Sequence, residues 1–319
     1  MIWRYLLSAA LVVFAPHGFA VYPESPIRII APFTPGGVTD VLSRDLAAKL
    51  TKSWRVSVVA ENRPGAAGIV GTQFVAASAP DGYTLLLGTN GTNATNVALH
   101  KKLPYDPLRD FAPISLIATS YLILLAHPSV PVASVRDLIV LAKKKRGVLN
   151  YGSGGSGSTP HLAAELFKSM AAVDMVHVPY KGGSPAMIDL LAGRIDLYFG
   201  NTAVALPHAR SGRVRMLAVT SAQRQPALPD LPTFAETGVP GYEVTSWFGL
   251  LAPARTPADV VAKLNGEVAR IVSMPETRKY YETEGLTAAS STPAEFSAFI
   301  KREIDKWTKV VKASGIRAD

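Results

Sequence analysis

Strand-like and helical hydrophobic patterns alternate along most of the chain. Short apolar runs rich in β-branched residues, such as Ile27–Ala31, precede segments in which apolar residues recur every three or four positions, such as 39–51. This alternation is typical of α/β proteins with mainly parallel sheets. Further strands are predicted at 56–60, 83–87, 114–126, 148–151, 175–179, 195–199, 214–220 and 247–252, and further helices at about 68–79, 134–146, 161–170, 184–193, 257–273 and 293–313. A polar segment at 88–96 and a proline-rich surface loop at 226–240 separate some of these elements.

The order of the elements predicts two lobes joined by two crossings. The long strand at 114–126 should break near Thr119–Tyr121, so we place one crossing at 119–122 and the other at 245–249. The first lobe would comprise residues 21–120 and 248–319, with the C-terminal helices packed on it, and the second lobe residues 121–247. Two crossing strands are the hinge arrangement of two-lobed solute-binding proteins. Two sequential domains are the alternative.

The turn after the first strand, residues 32–37 (loop 1), points most directly to chemistry. Gly36 and Gly37 lead straight into a helical pattern. Backbone N–H groups at a helix N-terminus favour an anion. No Lys, Arg or His lies between Phe33 and Asp40, so backbone and hydroxyl groups would bind the ligand, and a carboxylate suits them. Asp40 either pairs with the helix N-terminus or accepts a hydrogen bond from a ligand's ammonium or hydroxyl group.

A second glycine-rich turn, residues 152–160 (loop 2), also follows a predicted strand and opens a helix. Glycine lets the backbone approach a ligand closely, and Ser153, Ser156, Ser158 and Thr159 supply hydroxyl groups. Its similarity to loop 1 predicts two helix N-termini that face each other across a cleft. Two ordinary strand–helix turns are the alternative.

Other kinds of site fit the chain poorly. The glycine spacing of loop 2 matches a dinucleotide-binding motif, but Asp174 precedes the next strand instead of ending it. The sequence has no P-loop, no His-Glu-x-x-His metal motif and no Gly-x-Ser-x-Gly nucleophile motif. Helix capping explains Ser158 and His161 without a catalytic triad. Without cysteine there is no thiol catalysis or thiolate metal site. We expect neither metal nor cofactor.

The first twenty residues have the pattern of a secretory signal. Arg4 is their only charge, an apolar run follows, and Gly18 and Ala20 occupy the small-residue positions of a cleavage site. We expect cleavage after Ala20 and export, with an uncleaved anchor or a buried strand as the alternative. The formal net charge is +9, but export argues against a nucleic-acid partner. The dense basic run at 143–146 ends a predicted helix, where cations are ordinary.

Five long segments, in order and correctly spaced, resemble the Bug-type extracytoplasmic receptors, which are the solute-binding proteins of tripartite tricarboxylate transporters. The segments are 26–50 with its PFTPGGVTD motif, 58–88, 150–167 with NYGSGGSGSTPHL, 176–201 with VPYKGGSPAM, and 215–257. The resemblance runs from about Tyr22 to the C-terminus. It implies an α/β, two-lobed fold of the periplasmic-binding-protein (Venus flytrap) type, without catalysis or metal. It also implies an organic acid ligand: a di- or tricarboxylate, an acidic amino acid or a nicotinate-like aromatic acid.

The resemblance further implies which residues contact the ligand, because amides and hydroxyl groups of both loops hold a carboxylate in this family. The carried-over set is Phe33, Thr34, Gly36, Gly37 and Asp40 in the first lobe, Ser153, Gly155, Ser156, Ser158 and His161 in the second, and Thr89, Asn90, Asn201 and Thr202 in the walls. Relatives often differ at Ser156 and carry an acid near Asn201, so these two positions are expected to tune specificity.

We therefore predict a monomeric periplasmic receptor that closes on a small organic acid and delivers it to the permease subunits of a tripartite tricarboxylate transporter. One alternative is a secreted α/β hydrolase or transferase that uses Ser158 or Asp40, although no nucleophile–base–acid set is apparent. The other is a sensor subunit that presents its ligand without transport. The sequence does not separate uptake from sensing.

Overall fold

The computed structural model describes residues 22–100, 102–225 and 227–314, which form a mixed α/β protein. The strands are β1 Ile27–Ala31, β2 Val58–Asn62, β3 Thr84–Thr89, β4 Phe111–Ala126, β5 Asn150–Ser153, β6 Val176–Pro179, β7 Leu197–Asn201, β8 Arg215–Val219, β9 Thr245–Pro253 and β10 Thr287–Ala288. The helices are α1 Val38–Trp54, α2 Ile69–Ala76, α3 Asn96–Leu99, α4 Val135–Lys144, α5 Thr159–Ala171, α6 Gly183–Leu191, α7 Thr202–Arg210, α8 Ala258–Ser273, α9 Pro275–Thr283 and α10 Pro293–Ser314.

Most predicted elements are present within a few residues of their expected bounds, but α3, α7, α9 and β10 were not predicted. The polar segment after β3 forms a buried π-helical turn, Gly91–Thr95, that continues into α3. Residues 226–240 are not only a surface loop, because Phe234 is fully buried and stacks on Tyr242. The predicted signal, residues 1–20, lies outside the described residues.

The strands form one sheet in the order β2-β1-β3-β9-β4-β7-β5-β6, and β8 and β10 also pair with β4. β1 is parallel to β2 and β3, and β5 is parallel to β6 and β7. The pairings of β4 and β9 in the centre are antiparallel. The expectation of mainly parallel strands is therefore correct only for the two flanks.

The central strand β4 links the two flanks. It runs without the predicted break from Phe111 to Ala126, so that detail of the prediction was wrong. Its pairing partners change instead: residues up to Tyr121 pair with β9, and residues from Leu122 onward pair with β7 and β8. β9 begins at Thr245, opposite Tyr121. The sheet thus changes flank near both expected crossings, while the exact lobe boundaries stay a prediction.

The C-terminal helices pack on the sheet in two ways. Leu264 of α8 is buried in a core with Leu46 of α1, as expected for packing on the first lobe. Trp307 of α10 is buried in a different core that also holds Leu162 and Phe167 of α5. Helix α10 therefore joins elements from both flanks, which we did not predict. Within the described ranges, no helix is long and apolar enough to cross a membrane.

Candidate ligand-binding site

A cavity lies where the ends of β3, β7 and β9 meet loop 1, loop 2 and the starts of several helices. Its lining residues are Phe33, Gly37, Val38, Thr39, Thr89, Gly154, Ser158, Thr159, Pro160, Gly183, Tyr198, Asn201, Val204, Ser246 and Phe248. The sequence predicted that loop 1 and loop 2 face each other across a cleft, and residues of both loops line this cavity.

Four helices point their N-termini at this cavity. The residues that precede or open them are Gly37 for α1, Ser158 for α5, Gly182 and Gly183 for α6, and Asn201 for α7. Two of the four N-cap residues are glycines, and the side chains of the other two, Ser158 and Asn201, do not hydrogen-bond their own helices. The N–H groups of a first helical turn have no intrahelical acceptor, and each N-terminus carries about half a positive charge. Together they make the cavity attractive to an anion.

The lining itself is uncharged. Of the described residues that line the cavity, none is Lys, Arg, His, Asp or Glu. The polar groups are hydroxyls and one amide, and aromatic and aliphatic side chains such as Phe33, Val204 and Phe248 supply apolar surface. Ser158 is 5% exposed, and its hydroxyl has no hydrogen-bond partner among the described residues. Backbone dipoles and hydroxyl groups must therefore provide the recognition.

Loop 1 is held in place by side chains that lie behind it. The Gly36 amide donates to Asp40 Oδ2 over 2.9 Å, and Arg44 Nε lies 2.8 Å from Asp40 Oδ1. Arg44 also donates to Asn62, whose own amide donates to the Phe33 carbonyl. Burial acts to raise the pKa of Asp40, but hydrogen bonds from Arg44, Gly36 and Asn62 outweigh it and lower that pKa. Asp40 is thus ionised. We call it the brace of loop 1, because it accepts from the Gly36 amide and does not line the cavity.

Loop 2 is held by an equivalent set of side chains. The Gly157 amide donates to Nδ1 of His161 over 3.0 Å, so that nitrogen is unprotonated. The His161 ring stacks on His177 with centroids 4.0 Å apart. His177 Nε2 lies 2.6 Å from Ser153 Oγ, which accepts a hydrogen bond from the Gly155 amide. The side chains of His161 and Ser153 are buried and do not line the cavity.

The predicted site residues thus divide into two groups. Five of them line the cavity, namely Phe33, Gly37, Thr89, Ser158 and Asn201. The other nine stand around it, namely Thr34, Gly36, Asp40, Asn90, Ser153, Gly155, Ser156, His161 and Thr202. For all fourteen, direct contact with a ligand stays a prediction.

Two residues of the outer group have clear structural partners. The Asn90 side chain accepts from the Trp247 amide and donates to the Thr245 carbonyl at the start of β9. The Thr202 hydroxyl lies 2.9 Å from Ser120 Oγ and donates to the Gly285 carbonyl. Both side chains therefore fasten the region in which β4 and β9 change flank.

Sequence reasoning missed Gly183, Tyr198 and residues of β9. Gly182 and Gly183 follow a strand and open a helix, as Gly36 and Gly37 do, so a search for repeats of the loop 1 pattern would have found them. Tyr198 gave only a weak signal, a hydroxyl in a mostly apolar strand, two residues before Gly200. The residues of β9 reach the cavity because β9 pairs with β3. The two strands are far apart in the sequence, so this pairing could not be predicted from local patterns.

Hydrogen bonds join the two sides of the cavity directly. The Thr34 amide donates to the Lys181 carbonyl over 3.4 Å, and Ser184 Oγ donates to the Pro35 carbonyl over 3.2 Å. On the other side, Thr95 Oγ1 donates to the Gly157 carbonyl over 2.9 Å. The arrangement is therefore a closed one, with the cavity between the two sets of contacts.

Known proteins are similar to this chain in both sequence and fold. The family model described as the tripartite tricarboxylate transporter family receptor, TctC, matches residues 42–316. Protein BugT of Bordetella pertussis is 36% identical over 313 residues, which cover 98% of this chain and 96% of BugT. The structure of R. palustris Rpa4515 with adipate is similar with a TM-score of 0.91 and 40% identity, over 93% of this chain and 99% of that one. MatC from Rhodopseudomonas palustris with bound malate has a TM-score of 0.87 and 32% identity, over 91% of this chain and 100% of that one.

These comparisons decide between the classes of protein that the sequence left open. The solved relatives are two-lobed binding proteins, and the matched family is a family of receptors rather than of enzymes, so the hydrolase hypothesis is not supported. The two-lobed fold expected from the resemblance is confirmed. The chain belongs to the TctC family, the solute-binding receptors of tripartite tricarboxylate transporters.

Proposed function

We propose that this receptor binds a small organic acid, as a carboxylate without an ammonium group, in the cavity between loop 1 and loop 2. The observation that carries the proposal is the convergence of four helix N-termini on a cavity whose described lining has no ionised side chain. Two structural relatives hold adipate and malate, which are both carboxylates without an amine.

Backbone and hydroxyl donors suffice for such a ligand. A hydrogen bond to a charged acceptor contributes about 1.5–3 kcal/mol. Four or five of them contribute about 6–15 kcal/mol, a range that includes the ~8 kcal/mol of a micromolar complex, before desolvation and ordering costs are subtracted. A clamp of arginine side chains is therefore unnecessary.

The same lining disfavours amino acids. An α-ammonium group needs a carboxylate or several carbonyls around it, and no described lining residue is Asp or Glu. The nearby acid in the first turn of α1, Asp40, is already engaged by Gly36 and Arg44. Acidic amino acids, which the family resemblance allowed, are thus the less suitable ligands here.

The cellular location and the transport partner are inferred from the family. Its members include the periplasmic binding protein BugD, and its receptors serve tripartite transporters. For this chain we propose a periplasmic location after cleavage at about Ala20, a monomer, and delivery of the acid to the permease subunits of its own transporter. We also propose lobe 1 as residues 21–120 with 248–319 and lobe 2 as residues 121–247, because the pairing of β4 changes at Tyr121.

Calorimetry and thermal unfolding with a panel of acids test the proposal. Adipate or malate should bind and raise Tm, since ligand at 100 times its Kd adds about 2.7 kcal/mol of stability. Adipamide, which lacks the charge, and glutamate, which adds an ammonium group, should bind much more weakly. Preference for glutamate over every carboxylate without an amine would contradict the proposal.

A variant pair tests whether the ligand binds in the cavity. In Gly37→Val the added Cβ would meet only the Thr34 carbonyl, at 3.7 Å, so the fold should persist while the side chain fills part of the cavity. The ligand-induced rise in Tm should disappear. Gly266→Val is the matched control, because Gly266 is exposed on α8 with no atom within 4 Å of an added Cβ. An undiminished rise in Gly37→Val would place the ligand elsewhere.

A further inference from the structure

The hydroxyl of Tyr198, like that of Ser158, is a buried polar group of the cavity lining without a partner among the described residues. Tyr198 is fully buried, and its hydroxyl has no hydrogen-bond partner among the described residues. Buried tyrosine hydroxyls usually find a partner. Two other buried tyrosines of this chain do so, since Tyr151 hydrogen-bonds Glu165 over 2.6 Å and Tyr242 donates to the Ala163 carbonyl over 2.8 Å. The buried hydroxyls of Tyr121 and Tyr281 also have no partner among the described residues, and Tyr198 differs from both in that it lines the cavity.

The position of this hydroxyl is set by a glycine. A Cβ at Gly183 would lie only 2.7 Å from Tyr198 Oη, closer than real Cβ contacts allow. The hydroxyl therefore lies directly against the first residue of α6, where the backbone N–H groups have no intrahelical acceptor. A phenol O–H and a helix N-terminus thus offer donors to the same part of the cavity.

The hydroxyl is also kept in its donor form. Burial raises the pKa of Tyr198 well above its ordinary value, so the phenol stays protonated at physiological pH. A phenylalanine would fill the same volume without leaving a buried polar atom unpaired. A buried hydroxyl without an acceptor costs free energy, whereas one that donates to an oxygen of a ligand is favourable.

From these contacts we infer that Tyr198 donates a hydrogen bond to a carboxylate oxygen of the ligand, together with the N-terminus of α6, and so helps to select carboxylates. This rests on the proposed function, because it needs an anionic oxygen acceptor in the cavity. It adds a specificity residue, contributed by β7, to the two loops that the sequence singled out.

The test compares Tyr198→Phe with a matched control, Tyr121→Phe. The Tyr121 hydroxyl is likewise buried without a partner among the described residues, and burial raises its pKa to about 12, but Tyr121 does not line the cavity. For adipate, or for malate if it binds more tightly to the parent protein, Kd in Tyr198→Phe should rise about 10- to 100-fold. The Tm without ligand should stay level or rise, because an unpaired polar atom has been removed. Tyr121→Phe should leave Kd unchanged.

A second variant reaches the same hydroxyl from the other side. Gly183→Ala keeps the phenol but forces it away from its position, and it should weaken binding of the same acid at least about tenfold. A Kd within twofold of the parent value in Tyr198→Phe would overturn the inference and leave the proposed function intact. So would a drop of several degrees in the unliganded Tm, since that marks a structural hydroxyl. Failure of the parent protein to bind any acid of the panel would contradict the proposed function and this inference together.

Discussion

Loop 1 and loop 2 are each held by a hydrogen bond from a glycine amide to a side chain, but the two side chains differ in their chemistry. In each, a glycine amide donates to a side chain four residues further on, from Gly36 to Asp40 and from Gly157 to His161. In loop 1 this brace is a carboxylate neutralised by Arg44, whose side chain is 57% exposed. In loop 2 it is a buried imidazole stacked on His177. The contact that holds loop 1 is therefore charged, whereas the one that holds loop 2 is a hydrogen bond to a buried, stacked ring.

The difference shows how a motif can be essential to a site without touching the ligand. The side chains that look most reactive in the sequence, the acid and the histidine, face the loops from behind. The groups left for a ligand are the N–H donors of the helix starts and hydroxyls such as Ser158. A loop held by packing should also tolerate change less well than one held by a solvent-exposed ion pair.

The largest expected effect separates Gly157→Ala from Gly36→Ala. Both glycines have positive φ, 85° and 80°, so alanine should cost each fold a similar amount, about 1–2 kcal/mol. The two glycines differ in the atoms that they meet across the cavity. A Cβ at Gly157 would lie 2.6 Å from Asn96 Oδ1, whereas one at Gly36 would lie 3.2 Å from Ser184 Oγ near the surface. Gly157→Ala should therefore weaken carboxylate binding about 10- to 100-fold more than Gly36→Ala, as measured by calorimetry.

Denaturant unfolding of the two unliganded variants is the control for that comparison. Similar losses of stability with unequal losses of affinity would show that the Gly157 contact matters in the closed, liganded form. Equal affinities in the two variants would mean that the loops are equally tolerant, and the contrast drawn above would be wrong.

A smaller effect is expected for Asp40→Asn, which weakens the charged brace. Because the pKa of Asp40 is lowered in the fold, its contribution is fully present above the unfolded pKa of about 4 and is lost as the pH falls through the folded value. The variant should be about 1 kcal/mol less stable at pH 7. That gap should shrink as the pH falls below about 4, as followed by denaturant unfolding at a series of pH values.

Ligand affinity in the same variant separates the two roles that the sequence allowed for Asp40. A brace should leave Kd for the carboxylate within about threefold of the parent value. A loss of tenfold or more at unchanged stability would instead make Asp40 a ligand contact.

The fold was largely predictable from local patterns, while the site was predictable only in part. β1, loop 1 and α1 follow from a hydrophobic run, two glycines and a helical period, and the structure has all three. Short elements without a strong period, such as α7 and β10, were missed. Tyr198 enters the cavity only because β7 pairs with β4 and β5, and such non-local pairing leaves no mark on the local sequence.

Side-chain direction was equally hard to foresee. Loop 2 was correctly placed at the cavity, yet His161 turns back to Gly157 and Ser153 turns to His177. Both residues are compatible with ligand contact in the sequence, since a serine and a histidine near a helix start can face either way. Their orientation depends on His177, which lies 16 residues after His161, stacks on its ring and reaches Ser153 because β6 pairs with β5.

The smallest effect is expected for Arg44→Ala, which removes the exposed partner of the loop 1 brace. Exposed ion pairs contribute about 0.2–1 kcal/mol and are screened by salt, so the loss in unfolding free energy should be about 0.5 kcal/mol at low salt and should nearly vanish at about 1 M. In an Asp40→Asn background the Arg44 substitution should cost nothing further, because the two residues act as one unit. Additive losses in the double variant would show that Arg44 stabilises loop 1 through Asn62 instead of through Asp40, and the brace would then be polar, as in loop 2, rather than charged.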